Sequence, residues 1–161
     1  MKLYFKLFKI TLTAAIILSS AVILNSCTQK GEQQEPFWLG ADLGWITEME
    51  HYGHKFYDKD GHEMECTALM KELGLNAVRH RVWVDPSKHG NWCSKEDLLV
   101  KCQRAKALDM EILLDFHYSD WWADPQKQNI PASWSGHSYE QMKQDLWDHT
   151  VDVLQMLKDN D

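Results

Sequence analysis

The sequence is poor in cysteine, proline and glycine, which number 4, 4 and 8 among 161 residues. Apart from Cys27, which follows an apolar N-terminal run, the cysteines are Cys66, Cys93 and Cys102, and an odd number cannot complete a disulfide framework. No CxxC pair and no cysteine–histidine cluster has the spacing of a zinc site. We therefore expect a fold stabilised by apolar burial, with no metal and no cofactor held by this chain.

Basic residues are outnumbered, since 17 lysines and arginines stand against 24 aspartates and glutamates, for a net charge of −7. Removal of residues 1–26 takes away three lysines and no acid, which leaves 14 basic residues and a net charge of about −10. An acidic chain lacks the field that attracts phosphate backbones or anionic lipid. The composition therefore argues against nucleic acid as a partner and favours a neutral ligand.

Only one long apolar run is present, over residues 10–24, and it is too short to span a bilayer comfortably. Three lysines precede it, as in the cationic region of an export signal. Residues 24–27, Leu-Asn-Ser-Cys, resemble a bacterial lipobox, in which Cys27 is lipidated after cleavage. An ordinary cleaved signal with a chance cysteine, or an uncleaved anchor, are the alternatives.

We predict three segments: a lipoprotein signal peptide over residues 1–26, a lipidated Cys27 with a polar tether over residues 27–36, and a folded domain over residues 37–161. One acyl chain alone binds a membrane marginally, whereas several anchor a protein firmly. The protein is thus expected to be an exported bacterial lipoprotein of the cell envelope, outer membrane or cell surface, in contact with the membrane through its lipid anchor.

Three strand-then-helix units are predicted in the folded domain. Short apolar runs predict strands within residues 37–44, over 76–84 and over 111–116. Amphipathic stretches with helical spacing follow each strand. The first predicted helix carries Cys66, Leu69, Met70 and Leu73 and stops at Gly74, and the other two are predicted to begin at Ser94 and Ser138. Between the first strand and the first helix, Asp60-Gly61 predicts a hairpin turn.

This alternation predicts a parallel α/β sheet with right-handed crossovers. A doubly wound sheet and a (β/α)8 TIM barrel both contain it. Residues 40–44 lack the glycine spacing of a nucleotide-binding turn and are predicted to precede no helix, which counts against a nucleotide-binding sheet. The long tryptophan-rich segments after the strands favour the barrel. A barrel takes about 250 residues. Residues 27–161 number 135, which predicts the first three βα units of a longer barrel or a half-barrel that pairs.

The densest set of reactive side chains directly follows the third strand. Residues 115–125 read Asp-Phe-His-Tyr-Ser-Asp-Trp-Trp-Ala-Asp-Pro. Ligand sites in parallel α/β proteins lie beyond the carboxyl ends of the strands. Aromatic rings stack on the C–H face of a sugar and carboxylates bind its hydroxyls, so the segment suits a polyhydroxylated ring. At least one of Trp121, Trp122 and Trp134 is expected to stack on it.

The second strand presents two different faces. Strand alternation places Arg79, Arg81 and Trp83 on one side and the intervening residues on the other. The intervening side is expected to face the helices and consists of Val78, His80 and Val82. The arginines are then expected to point into the barrel, toward the site.

Inward arginines need acidic partners, because an unpaired buried charge is costly. Asp42 on the first strand and Asp115 on the third are the candidates, and His117 shares the face of Asp115. An ion network of the barrel floor without contact to substrate is the alternative. The remaining histidines have no useful partner spacing and are predicted to lie at the surface: His51, His54, His62, His89, His137 and His149.

Three segments carry a resemblance to a known family: Gly-Ala-Asp-Leu-Gly-Trp at residues 40–45, Asn-Ala-Val-Arg-His-Arg-Val-Trp at 76–83, and residues 115–125. With shorter segments between them, they are similar, in the same order, to the endo-β-1,4-galactanases, the arabinogalactan-degrading glycoside hydrolases of family 53. The resemblance covers about residues 37–155. It is specific as a set, and only the third-strand segment is specific by itself.

The resemblance implies a (β/α)8 barrel that hydrolyses internal β-1,4-galactosidic bonds of (arabino)galactan with retention, through two glutamates. In the family the acid/base glutamate follows the fourth strand and the nucleophile lies at the seventh. Both are therefore expected beyond Asp161, and no catalytic residue is expected in this chain. Any calcium site is likewise expected beyond Asp161.

The resemblance also implies supporting residues. Arg79 matches an arginine that orients the nucleophile, and His117 matches a histidine that lines the subsite of the cleaved sugar. Trp121 departs from the small polar residue usual there. The substrate-binding or supporting set is expected to comprise Asp42, Arg79, Arg81, Trp83, Asp115, His117, Tyr118, Asp120 and Trp122.

The expected partner is β-1,4-galactan polysaccharide. Another retaining barrel glycosidase, a mannanase or xylanase, is one alternative. A non-catalytic sugar-binding lipoprotein or an inactive remnant is the other.

Overall fold

The computed structural model describes residues 37–160. The predicted signal peptide, the lipidation site Cys27 and the tether lie outside the described residues, so the lipoprotein assignment stays a prediction. Within the described range, no helix combines the length and apolar character needed to cross a membrane.

A three-stranded parallel sheet forms the centre of the structure. Its strands are β1 (Gly40–Asp42), β4 (Ala77–Val82) and β5 (Glu111–Phe116), in that order across the sheet. They confirm the three predicted strands, although β1 is only three residues long. Because each strand lies beside its predecessor in the same direction, the register sets Asp42 opposite Arg79 and Arg81 opposite Asp115.

A two-stranded hairpin follows β1, made of β2 (Phe56–Tyr57) and β3 (Glu63–Met64). The predicted turn at Asp60-Gly61 joins them. The Asp58 carboxylate accepts hydrogen bonds from the amides of Asp60 and His62, at 2.8 and 2.9 Å. This carboxylate therefore closes the turn in the manner of an Asx-turn.

Four helices accompany the strands: α1 (Ile46–His51), α2 (Cys66–Glu72), α3 (Lys95–Ala107) and α4 (Tyr139–Asp159). The predicted helical stretch of α2 and the predicted starts of α3 and α4 are confirmed. The hydroxyl of Ser94 accepts the Asp97 amide of α3, and Ser138 with Gln141 forms a complete capping box at α4. Two short 3-10 turns, Pro86–His89 and Ala132–Trp134, lie in the connections after β4 and β5.

Helix α1 was not predicted, and the expectation that residues 40–44 precede no helix is wrong. The helix begins two residues after Gly44. It has six residues and only Ile46 is buried, so its sequence carries no apolar periodicity that could have indicated it.

The core lies between one face of the sheet and the helices. Val82 packs with Leu98 and Cys102 of α3 and Val153 of α4. Val78 packs with two further residues, Ala105 and Met110. This confirms the predicted outward face of β4, in which His80 is also fully buried. Cys66, Cys93 and Cys102 are all free and buried, as expected for a core without disulfides.

The opposite face of the sheet is not covered by the described residues. Leu113 of β5 is 60% exposed there, and a hollow of about 600 Å³ lies beside Asp42, Arg79 and Leu113. A doubly wound sheet has helices on both faces and reverses its strand order. Consecutive strands with the helices packed on one face, as seen here, are the geometry of a (β/α)8 barrel wall.

Candidate functional site

Arg79 links two aspartates from different strands. Its Nη1 donates to Oδ2 of Asp42 on β1, and its Nη2 donates to Oδ2 of Asp115 on β5. The parallel register sets Asp42 opposite Arg79, and Asp115 one side-chain position further along the inner face, opposite Arg81. The predicted acidic partners of the arginines are thus confirmed.

Asp42 is the most strongly supported carboxylate of the site. Its Oδ1 accepts the Gly44 amide at 2.9 Å, and Nη1 of Arg81 lies 3.6 Å from its Oδ2. Burial would raise the pKa of Asp42, but the Gly44 amide and the charges of Arg81 and Arg79 outweigh burial and hold the pKa below its ordinary value. Asp42 is therefore ionised at neutral pH.

His117 extends this series at the end of β5. Its Nε2 lies 2.8 Å from Oδ2 of Asp115, and its Nδ1 accepts a hydrogen bond from the indole Nε1 of Trp83 at 3.2 Å. Both ring nitrogens are thus engaged within the chain. A continuous series of polar contacts, Asp42–Arg79–Asp115–His117–Trp83, crosses the carboxyl ends of three parallel strands.

Arg81 is enclosed by indole rings. Its guanidinium carbon lies 4.1 Å from the ring centre of Trp122, 5.6 Å from that of Trp83 and 5.7 Å from that of Trp45. The rings supply cation–π stabilisation to a cation whose side chain is only 3% exposed. A Cβ at Gly44 would come within 2.7 Å of Nη2 of Arg81, so a larger residue there would have to displace the guanidinium group.

The aromatic surface continues away from the strands through Trp121. The ring centre of Trp121 lies 4.7 Å from that of Trp83 and 3.8 Å from that of His89, with which it stacks at 24°. Trp134 lies elsewhere, beside Tyr118 at 6.4 Å. Of the three tryptophans in the loop after β5, Trp121 and Trp122 therefore adjoin the site.

The structure brings seven of the nine predicted supporting residues together and separates two. Tyr118 lies on the helix side of β5, where its hydroxyl is 3.0 Å from that of Thr150 on α4. Asp120 joins two loops, since its carboxylate accepts the amides of Asp85 at 3.1 Å and Ala132 at 2.8 Å. Neither side chain takes part in the series of polar contacts at the site.

The prediction that six histidines lie at the surface is confirmed for His51, His54, His62 and His89, whereas His137 and His149 are partly buried, and several of the six have partners that the sequence did not indicate. His137 bonds Asp145 at 2.7 Å, His62 bonds Asp58 at 3.0 Å, and His89 stacks on Trp121. His149 is half-buried, and burial lowers its pKa. These contacts join residues four or more positions apart, and no sequence pattern had indicated them.

A second buried cluster under the site had no counterpart among the predictions. The ammonium of Lys101 is fully buried, 2.7 Å from Asp97 and 3.0 Å from the carbonyl oxygen of Gly44. Asp97 also accepts the amide of Cys93 at 2.7 Å. The cluster ties α3 to the turn between Asp42 and Trp45. One signal was available, because Lys101 lies within the apolar stripe of α3.

The site can bind and orient a polar ligand but offers no free acid. Asp42 and Asp115 are both committed to Arg79. In residues 37–160, no group of three or more histidine, cysteine, aspartate or glutamate side chains converges as a metal site would require. Carboxylates held by a cation, with indole surfaces beside them, suit recognition of a hydroxyl-rich ring.

Comparison with known proteins finds extended similarity. The family described as "Glycosyl hydrolase family 53" matches residues 38–161. The endo-beta-1,4-galactanase of Bacillus subtilis (strain 168) is 36% identical over 127 residues, covering 75% of this chain and 30% of that protein. The arabinogalactan endo-beta-1,4-galactanase of Cellvibrio japonicus (strain Ueda107) is 35% identical over 147 residues, covering 88% and 38%.

The fold is similar to solved structures as well. A chain from a structure of two fungal beta-1,4-galactanases superposes with a TM-score of 0.71 at 30% identity, over 76% of this chain and 36% of that one. The sequence thus spans between 30 and 38% of the length of the two galactanases compared.

Proposed function

Because the chain belongs to glycosyl hydrolase family 53, we propose that it contributes the first three βα units of an endo-β-1,4-galactanase barrel. The proposed reaction is hydrolysis of internal β-1,4-galactosidic bonds in galactan or arabinogalactan. Proteins named as galactanases match three quarters or more of this chain. Since the chain spans only 30 to 38% of their length, we assign the activity to a longer protein that contains this chain.

The proposed mechanism retains the anomeric configuration through a glutamate nucleophile and a glutamate acid/base. Their carboxyl groups lie about 5–5.5 Å apart in retaining enzymes. Both glutamates are expected beyond Asp161. The aspartates of the site suit neither role, because Arg79 engages both of them and Asp42 is held ionised by its amide and guanidinium neighbours.

The observation that carries this proposal is the series Asp42–Arg79–Asp115–His117 at the carboxyl ends of three parallel strands. Barrel enzymes place their substrates there. Arg79 uses two of its five N–H donors on the aspartates, and 39% of its side chain remains exposed. It therefore retains donors for a further carboxylate, which is the role proposed for it toward the nucleophile.

The indole surface beside the series accounts for the substrate class. Trp122 and Trp45 lie 5.3 Å apart beside Arg81 and offer flat apolar area to the C–H face of a galactose ring. A net charge of −7 gives no attraction for an anionic polymer. A neutral galactan satisfies both conditions.

The test compares the protein from the complete reading frame with the 161-residue chain on purified β-1,4-galactan, with xylan and mannan as control substrates. We expect internal cleavage of galactan by the complete protein alone, with the β-anomer as the first product in proton NMR. Preferential cleavage of xylan or mannan would assign another glycosidase. Binding without cleavage would assign a sugar-binding protein. Galactan cleavage by the 161-residue chain at a comparable rate would refute the expected position of the glutamates.

We also propose that Cys27 anchors the protein in the cell envelope. The support is the run of residues 10–24 followed directly by the lipobox-like residues 24–27. Cells fed labelled palmitate are expected to label the wild-type protein but not a Cys27→Ser variant, which should leave the membrane fraction. Equal labelling of the two would refute the anchor.

A further inference from the structure

We propose that Trp83 is a positioning residue that fixes the tautomer of His117, so that the Nε2 proton of His117 faces the Asp115 carboxylate. This inference rests on the proposed function only where activity is measured. The proton positions on the imidazole follow from the geometry alone.

The indole of Trp83 decides which nitrogen of His117 carries the proton. An indole N–H can only donate, so the imidazole nitrogen 3.2 Å from it, Nδ1, must accept and be unprotonated. In a neutral ring the proton then sits on Nε2. That nitrogen lies 2.8 Å from Oδ2 of Asp115, so its proton is next to the carboxylate.

The other tautomer would make both contacts unfavourable. A proton on Nδ1 would oppose the N–H of Trp83, and the lone pair on Nε2 would face the carboxylate oxygen of Asp115. The imidazole cannot relieve this by turning freely. It is 14% exposed and is flanked by Trp122, whose ring centre lies 6.2 Å away in an edge arrangement.

Trp83 is itself held firmly enough to impose this choice. Its residue is 3% exposed, and its ring lies between Trp121, at 4.7 Å, and Trp122, at 5.6 Å. Its backbone amide is fixed to the carbonyl oxygen of Cys93 at 2.9 Å. The indole N–H is therefore a fixed donor rather than one that adapts to the histidine.

The consequence falls on Asp115. Its Oδ2 accepts a hydrogen bond from Arg79 and lies 2.8 Å from Nε2 of His117, whereas no hydrogen bond among the described residues ends on its Oδ1. Trp83 and His117 together hold the carboxylate with one oxygen committed and the other available to a substrate hydroxyl. In this arrangement Asp115 contacts the sugar, and His117 and Trp83 position it.

The experiment uses the complete protein with 15N-labelled histidine, in which two-dimensional long-range 1H–15N spectra distinguish the protonated from the unprotonated ring nitrogen. We expect His117 to show a single tautomer with the proton on Nε2. In Trp83→Phe, which keeps an aromatic ring but loses the donor, we expect a second His117 form to appear. Trp121→Phe is the matched control: it changes a ring against Trp83 without touching the bond to His117, and we expect the wild-type tautomer.

Steady-state kinetics on galactan add a functional readout. Trp83→Phe should lower kcat by about tenfold while KM changes less, because a misplaced carboxylate affects the transition state more than ground-state binding. A wild-type protein with Nδ1–H or mixed His117 tautomers overturns the inference even if no variant folds. So does a Trp83→Phe spectrum identical to wild type. A complete protein with the expected tautomer but without galactanase activity would refute the proposed function and leave the tautomer assignment standing.

Discussion

Arg79 bridges two aspartates, and this contact depends on the shape of its guanidinium group. It donates through two different nitrogens to carboxylates on β1 and β5, and so joins strands that flank its own. A lysine ammonium is a point charge on a flexible stem and cannot reproduce this planar, two-sided contact. The residue therefore combines a structural link between three strands with an exposed cation at the site.

Replacement of Arg79 by lysine should reduce kcat/KM of the complete protein on galactan by about 100-fold, or roughly 2.7 kcal/mol. The reason is that Asp42 and Asp115 lose their common partner while the charge is kept. Arg104→Lys is the control, because Arg104 also bonds carboxylates, at 2.8 Å to Glu50, but on the helix side of the sheet. Equal losses in the two variants would show that the site does not depend on Arg79.

His80 should make the fold sensitive to acid. It is fully buried and neither ring nitrogen has a hydrogen-bond partner among the described residues. Burial, aided by the charge of Lys101, lowers its pKa from 6.5 to about 4. Below pH 6.5 His80 is protonated in the unfolded chain but stays neutral in the folded chain. The free energy of unfolding therefore falls as the pH drops from 6.5 toward 4.

The loss attributable to His80 is about 3 kcal/mol when the pH reaches 4, at 1.36 kcal/mol per pKa unit. Denaturant unfolding between pH 7.5 and pH 4.5 should show this slope in the wild type and a shallower one in His80→Met. His54→Gln, at an exposed histidine, is the control and should keep the wild-type slope. An unchanged slope in His80→Met would mean that other groups dominate the acid response.

Among the elements, α3 fixes the turn after β1 through a buried ion pair. Its Lys101 and Asp97 form a buried ion pair. Lys101 also donates to the carbonyl oxygen of Gly44, which lies two residues after Asp42 of β1. Removal of one partner of a buried pair leaves an uncompensated charge, which costs much more than the pair contributes. The helix therefore fixes the turn after β1 through electrostatics as well as packing.

Asp97→Ala should lower the free energy of unfolding by about 3–5 kcal/mol, because the Lys101 ammonium and the Cys93 amide lose their acceptor. The double variant Asp97→Leu/Lys101→Met should recover much of this loss, since neither charge remains. Urea unfolding measures both, with Glu96→Ala on the exposed side of α3 as the control. A loss below about 1 kcal/mol in Asp97→Ala would show that water reaches the ammonium.

The elements were predictable where a short-range rule governs them. The period of two along β4 correctly predicted that Arg79 and Arg81 face the acids while Val78 and Val82 face the helices. Serine caps likewise predicted where α3 and α4 begin.

The contacts beyond the strand ends could not be predicted in this way. Asp120 follows the regular part of β5, where alternation no longer applies, and its carboxylate is fixed by loop amides instead. The bond between Trp83 and His117 joins positions 34 residues apart, and it depends on the loop conformations of both neighbouring units. Lys101 was missed because a lysine within an apolar stripe is ordinarily expected to reach solvent.

For the whole molecule, the decisive feature is the sheet face that the described residues leave open. The three βα units belong to a (β/α)8 barrel, whose interior is filled by side chains from all strands. Here Leu113 is 60% exposed on the inner face, and β5 has a neighbour on one side only. Helix α4 also presents apolar residues outward, with Trp147 65% and Leu154 47% exposed.

The 161-residue chain by itself should therefore be poorly stable and prone to association. An unpaired strand edge and an uncovered apolar face offer sites for pairing with other chains, and a small core contributes little free energy. We expect concentration-dependent association in sedimentation experiments and strong binding of a dye specific for exposed apolar surface, as in molten globules. The protein from the complete reading frame is the control and should unfold cooperatively as a monomer without dye binding. A sharp, concentration-independent melt of the 161-residue chain at low micromolar concentration would contradict this expectation, because it would mean that three βα units form a self-sufficient core.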